Sequence, residues 1–162
     1  MSDTPPEMRN WRARLVTRAV HSYFAYARGM TMGVRAACFD VEGRIFLVRH
    51  SYVPGWLMPG GGIERNETAG QALIKELREE GNLVFGDPPE LMHVFHNPRT
   101  SRRDHVLFYR CRNVVQTAPK KRDYEILEGG FFPLDALPEG TTSATLRRLD
   151  ELSGKVPFDD IW

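Results

Sequence analysis

No apolar run in this chain of 162 residues approaches the ~20 residues that a membrane-spanning helix needs. No signal-peptide pattern opens it either, so the expectation is a soluble, cytoplasmic protein without membrane contact. Neither sign of charge prevails. The 22 Lys and Arg against 21 Asp and Glu leave a formal net charge of +1, which provides no global attraction to nucleic acid. Nucleic acid is therefore not expected as a partner, and any preference for phosphate must arise from local placement. Cysteine is scarce: Cys38 and Cys111 stand alone in apolar, strand-like surroundings and read as buried free thiols. His93, His96 and His105 alternate along candidate strands without zinc-like spacing and read as core or surface residues. Internal repeats and low-complexity segments are absent. What remains is ordinary for one globular domain with a real core, 41% hydrophobic and 27% charged.

Two segments are expected, residues 1–28 as a tail plus amphipathic helix and residues 29–162 as the main domain. Residues 1–8 carry Pro5-Pro6 and polar neighbours and read as a loose tail. From Asn10 to Ala27, Trp11, Leu15, Ala19, Tyr23 and Tyr26 recur at helical spacing, with Arg12, Arg14 and Arg18 among them. Such a helix packs on its own domain or across a homodimer more often than on a membrane. After Thr31 the period changes. Val34–Phe39 and Arg44–His50 are short apolar runs joined by Asp40-Val41-Glu42-Gly43, a hairpin signal. Tyr52–Gly62 is rich in Pro and Gly and reads as a loop. Leu91–His96 and Asp104–Cys111 form a second strand pair, linked by a basic loop carrying Arg99, Arg102 and Arg103. Glu125–Phe132 is a further strand, and Thr142–Ser153 a closing helix capped by Thr141 or Thr142. Strands on either side of one central helix, with another helix last, predict an α/β fold with a mixed sheet between helical layers.

The central helix carries the chemistry. Thr68-Ala69-Gly70-Gln71 is a capping box, so a helix starts there. At about 100° per residue, Ala69, Ala72, Leu73 and Leu77 share a face that continues through positions 76 and 80. Those positions hold Glu76 and Glu80, with Glu79 at the edge of the stripe. Carboxylates clustered at a buried surface are strongly disfavoured unless a cation neutralises them. A solvated acidic face with a Lys75–Glu79 pair is the bland alternative, but it leaves the interrupted stripe unexplained. An oxygen-only set with no Cys or His on the helix suits Mg²⁺ or Mn²⁺ better than zinc.

At these residues the chain resembles the Nudix (MutT-like) hydrolases. Their signature runs Gly, five residues, Glu, seven residues, then Arg-Glu-aliphatic-x-Glu-Glu-x-Gly-aliphatic. Here Gly61, Glu67 and Lys75-Glu76-Leu77-Arg78-Glu79-Glu80-Gly81-Asn82-Leu83 fall in that register, after a Pro59-Gly60-Gly61-Gly62 approach. The VRHSYVPGW stretch and the FFPLDALP run also look like the family. Two positions depart from it. Lys75 replaces an Arg thought to hold a neighbouring glutamate by a forked pair, and so keeps charge but loses bidentate geometry. Asn82 replaces a Gly after the helix, where Asn is the next best left-handed residue.

The resemblance implies an α/β/α sandwich with an extra N-terminal helix, and metal coordination by the Gly60 carbonyl with Glu76, Glu79 and Glu80. It implies a general base drawn from the box or a later loop, so Glu76, Glu125 and Glu128 are all candidates, and it places Lys75 in the catalytic set. The expected reaction is hydrolysis of a diphosphate bond with Mg²⁺ or Mn²⁺. Its substrates would be small nucleotides: ADP-ribose-like compounds and nucleotide sugars first, nucleoside triphosphates second, capped RNA ends third. A non-catalytic nucleotide sensor on the same scaffold is the rival. Arg49, His50, Arg102 and Arg103 are candidate phosphate grips by charge-assisted bonds, each weighed against an ordinary solvated charge. Trp56 and Phe46 can stack on a base, although packing is commoner beside a Gly/Pro loop. Glu67, in the first turn, reads as structural.

Overall fold

The computed structural model describes residues 11–27 and 29–162, the expected tail at 1–8 lying outside them. The chain divides into two compact units, residues 1–30 and 31–162. The first holds α1 (Trp11–Ala27), on which Leu15, Val16, Val20 and Tyr23 are exposed. The side chains of Trp11 and Tyr26, the ends of the expected stripe, lie outside the described residues.

In the second unit, β1 (Thr31–Cys38) pairs in parallel with β6 (Asp104–Cys111), and β5 (Glu90–His96) adds antiparallel to β6. A second sheet places β2 (Ile45–His50) between β3 (Trp56–Leu57) and β8 (Ile126–Phe132), both antiparallel to it. A short ribbon joins β4 (Leu83–Phe85) to β7 (Val114–Gln116). Two helices complete the unit, α2 (Ala69–Gly81) and α3 (Ser143–Leu152). Ile45, Phe46, Leu47 and Val48 are all fully buried, as expected of a strand covered on both faces. Phe46 and Val48 join Val34, Ala36 and Cys38 against Ala72, Leu73 and Leu77 of α2. Ile45 and Leu47 face the other way, into a core with Trp56, Phe95 and Phe108 that Leu149 and Leu152 of α3 cover. Each fully buried Leu, Ile or Phe contributes roughly 1.5–3 kcal/mol. The arrangement is the anticipated α/β fold, with sheet between helical layers.

The hairpin expected between the first two strands is confined to its turn. Asp40–Gly43 does turn the chain: Asp40 Oδ1 accepts the Glu42 and Arg44 amides, and Gly43 takes φ +76°. Beyond a single Phe39–Ile45 bridge, however, the strands part into different sheets. One edge of β1 is taken by β6, and the other by the loop, with Val34 N–H donating to Gly61 O and Ala36 N–H to Pro59 O. That edge of β1 is thereby occupied by the loop at Val34 and Ala36 instead of by β2. The Tyr52–Gly62 loop thus holds β3 and also serves as an edge partner of β1. Cys38 and Cys111 are register neighbours, buried and free.

On the α3 side, the completely buried Arg148 donates to Glu151 at 2.7 Å and lies over the Phe95 ring at 3.9 Å. Its Nη1 also reaches the Ile161 carbonyl, so the closing segment is fastened beside β5. His93 stacks on Phe158, and His96 faces the Arg102 carbonyl at 3.2 Å, both in structural roles. Phe46 and Trp56 are core residues, Trp56 packing edge-on to Phe132.

Candidate active site

The site is built on α2. Thr68 Oγ1 accepts the Gln71 amide while Gln71 Oε1 accepts the Thr68 amide, the reciprocal box foreseen from the sequence. Asn82 ends the helix at φ 52°, ψ 38°, and its Nδ2 donates to Ala118 O. Fixed at both ends, the helix presents Glu80 inward, Glu76 half-buried and Glu79 exposed. All three line one cleft of about 420 Å³ with Glu125, Asp123, Arg78 and Lys120.

Glu80 is only 3% exposed, and its Oε2 accepts the Gly60 amide at 2.7 Å. Burial pushes its carboxyl up to about 8, against the opposing charge of Arg35. Burial also raises Glu76. The glycines explain how the loop reaches this helix. Gly60 has φ +141°, and a Cβ there would collide with the Val34 carbonyl; one on Gly61 would sit 2.6 Å from the Glu76 carboxylate. Gly62 meets no such restriction, so close approach is demanded at two of the three glycines.

Lys75 does not reach toward Glu79. Its Nζ lies 3.0 and 3.2 Å from the two oxygens of Glu67, which also accepts the Glu64 amide. An ammonium between both oxygens does the holding expected of a forked arginine, and Glu67 is a brace for the loop that enters α2. Lys75 is 3.8 Å from Glu76, close enough to bias that carboxylate by charge.

The opposite wall comes from the end of β2. Alternation puts His50 on the same face as Phe46 and Val48, toward α2. Opposite Arg49 and His50, β8 offers Glu128 and Ile126, with Leu127 left as a bulge. Past the bulge the Ser51 amide donates to Glu125 O, and Tyr52 Oη donates to Glu125 Oε1 at 2.8 Å. Burial and that hydrogen bond push Tyr52 up to about 12. Asp123 accepts from Lys120 and from the Glu125 and Ile126 amides, which pulls it down to about 2 and stiffens the turn. His50, Glu80 and Glu125 each offer a donor atom within 4.8 Å of the others. His50 Nε2 lies 3.2 Å from Glu80 Oε1, and burial shifts both groups toward their neutral forms, lowering His50 and raising Glu80.

The other candidates go elsewhere. Arg49 pairs with Glu128 at 3.0 Å and lies over Trp56. Arg102 and Arg103 sit at the β5–β6 tip and are not among the residues lining the cleft. Sequence reasoning missed Arg35, Tyr52, Asp123 and Lys120. Only Arg35 carried a signal, as a lone charge inside the apolar Val34–Phe39 run. Its Nη1 donates to Met58 O, and its charge acts on both Glu76 and Glu80. Among the described residues no helix is long and apolar enough to cross a membrane.

Comparison with known proteins bears on the fold and the family. Diphosphoinositol polyphosphate phosphohydrolase 2 of Mus musculus is 36% identical over 87 residues, covering 51% of this chain and 48% of that protein. RNA pyrophosphohydrolase of Hydrogenovibrio crunogenus is 37% identical over 61 residues, 38% of this chain and 37% of the relative. The chain thus spans half or less of the length of these curated relatives. Among solved structures, a MutT NUDIX hydrolase from Burkholderia pseudomallei superposes with a TM-score of 0.63 at 24% identity, over 75% of this chain and 97% of that one. An ADP-ribose pyrophosphatase from Streptococcus suis gives 0.53 at 24% identity, over 79% and 94%. At that identity the likeness speaks for the fold. The NUDIX domain model matches residues 29–152, so most of the chain, including the whole acidic cleft, belongs to the NUDIX family.

Proposed function

We propose that this protein hydrolyses a diphosphate bond in a nucleoside diphosphate linked to another moiety, such as ADP-ribose or a nucleotide sugar. The observation that carries the reading is the convergence of Glu76, Glu79, Glu80 and Glu125 on one cleft, with Glu80 buried against the Gly60 amide. So many carboxylates, one of them desolvated, fit a divalent cation such as Mg²⁺ or Mn²⁺. Glu79, Glu80 and the Gly60 carbonyl would hold it, with Glu76 beside them. When bound, the cation neutralises phosphate charge and activates water for attack on phosphorus. Of the candidate bases, Glu128 is occupied by Arg49, whereas Glu76 is raised by burial toward the range a base needs. Glu76 and Glu125 both line the cleft, and either would take the proton of the attacking water. Arg78 and Lys120, on the same cleft, meet the substrate's outer phosphate oxygens. Glu67 and Lys75 act through the loop by keeping Gly60 and Gly61 against α2.

Those two cations also support a second reading, a substrate with additional phosphate, such as a nucleoside triphosphate or an RNA 5′ end. The names of the curated relatives point the same way. A panel of ADP-ribose, a nucleotide sugar, a nucleoside triphosphate and triphosphorylated RNA, each with Mg²⁺ and with Mn²⁺, separates the readings. Turnover is expected with either cation and none in excess chelator. Binding without turnover of any of them would favour the sensor; full turnover in chelator would refute the metal mechanism.

A further inference from the structure

We infer that His50, Glu80 and Glu125 form a cation site with one nitrogen donor, which takes Mn²⁺ or a later transition ion in preference to Mg²⁺. The inference rests on the hydrolase reading only in sharing Glu80 with it. Its starting point is an unpartnered imidazole. His50 is 4% exposed, yet among the described residues neither Nδ1 nor Nε2 has a hydrogen-bond partner. Nε2 lies 3.2 Å from Glu80 Oε1 without hydrogen-bonding geometry, and Nδ1 lies 3.9 Å from Glu125 Oε1. Burying such a group unsatisfied is costly, and water or a ligand usually accounts for it.

The surroundings favour a cation over a water. His50 is set between carboxylates from two other parts of the chain, α2 and the turn before β8, and all three donors lie within 4.8 Å of one another. Each arm is held independently. Glu80 is fixed by the Gly60 amide, and Glu125 by Tyr52 Oη together with the Asp123 turn. The ring itself is seated against Tyr52, with centroids 5.2 Å apart. Donors braced in this way converge without help from one another, as metal ligands do. The chemistry of the set then decides which ion fits. Imidazole nitrogen is a poor ligand for Mg²⁺, which prefers oxygen and retains its waters, and a good one for transition ions. A nitrogen in the set therefore distinguishes this position from the oxygen-only face of α2. It supplies a reason for Mn²⁺ to outperform Mg²⁺ in this particular chain.

The test uses Mn²⁺ alone, added to the full chain without substrate and followed by pulsed electron paramagnetic resonance. Nitrogen modulation from a coordinated imidazole is expected, and ¹⁵N-labelling of histidine should change its pattern. His50→Gln should abolish the modulation and weaken Mn²⁺ binding by at least the ~10-fold that loss of an outer-sphere partner alone costs. Mg²⁺ binding to the same variant should change little. Bound Mn²⁺ without nitrogen coupling in the unaltered protein would overturn the inference, and that arm needs no variant to fold. Modulation that persists in His50→Gln would also overturn it, because the nitrogen would then belong to another histidine. Failure of the hydrolase reading looks different: no substrate is turned over, while the nitrogen signal remains.

Discussion

At Glu80 burial and charge oppose each other, and pH exposes the conflict. The folded chain holds its carboxyl at about 8 against an ordinary 4.5, because the site is desolvated. Folding therefore favours the protonated form. That contribution is complete below about pH 4.5 and is lost as pH rises toward 8. Gln carries no proton to lose and can still accept the Gly60 amide. In metal-free protein, Glu80→Gln should melt above wild type at pH 8 and by less at pH 5. At about 1.4 kcal/mol per unit the difference amounts to a few kcal/mol at most. Thermal melts in chelator at the two pH values measure it, and a gap that narrows with rising pH would contradict the assignment. Turnover of the same variant should fall roughly 10²–10⁴-fold, as on loss of a principal catalytic group. Lys75 presents the milder case. Its ammonium already spans both oxygens of Glu67, so Lys75→Arg replaces one clamp by another. Steady-state kinetics should show turnover unchanged or modestly higher; a strong loss would mean that Lys75 contacts substrate.

The working element is α2, and its ends set the position of its carboxylates. Asn82 at φ 52° is a left-handed cap with a side-chain bond to Ala118. Asn82→Ala should cost about 1–2 kcal/mol for the conformation alone, whereas Asn82→Gly should cost less. Chemical denaturation of both variants decides, and equal losses would show that the Ala118 bond, not the backbone, matters. Local signals of this kind are what made the helices legible: the Thr68 box, the Asn82 stop and the Thr142 cap all lie within one turn of the boundary they mark. The β5–β6 hairpin was legible for the same reason, as two apolar runs joined by one loop. The short strands β3, β4 and β7 carried no readable period, since two or three residues cannot establish one. The parting of β1 from β2 depended on Pro59–Gly61 occupying an edge, which no local pattern announces. The site divides along the same line. Glu76, Glu79 and Glu80 were visible because they share a helix. His50, Glu125, Tyr52 and Asp123 meet only through the pairing of β2 with β8, and a bulge at Leu127 sets which of them face each other.

For the whole molecule the open term is the N-terminal segment. Every residue that lines the cleft, from Glu76 to Ile126, lies in the unit that begins at Thr31. Residues 1–28 are therefore proposed as dispensable for the chemistry. Their helix is not inert, however. Leu15, Val16, Val20 and Tyr23 are exposed along α1, and a helix bearing such residues favours association. Packing across a two-fold axis would couple the helix to assembly, whereas packing as a domain cover would couple it to stability. Deletion of residues 1–28, followed by kinetics, light scattering and a melt, distinguishes these. Turnover per site should survive in either case. A fall in mass would mark the helix as the dimer contact, and an unchanged mass with a lower melting temperature would mark it as a cover. Loss of catalysis in a truncated chain that stays folded at the same mass would place α1 in the active site, and the boundary at Thr31 would no longer divide chemistry from assembly.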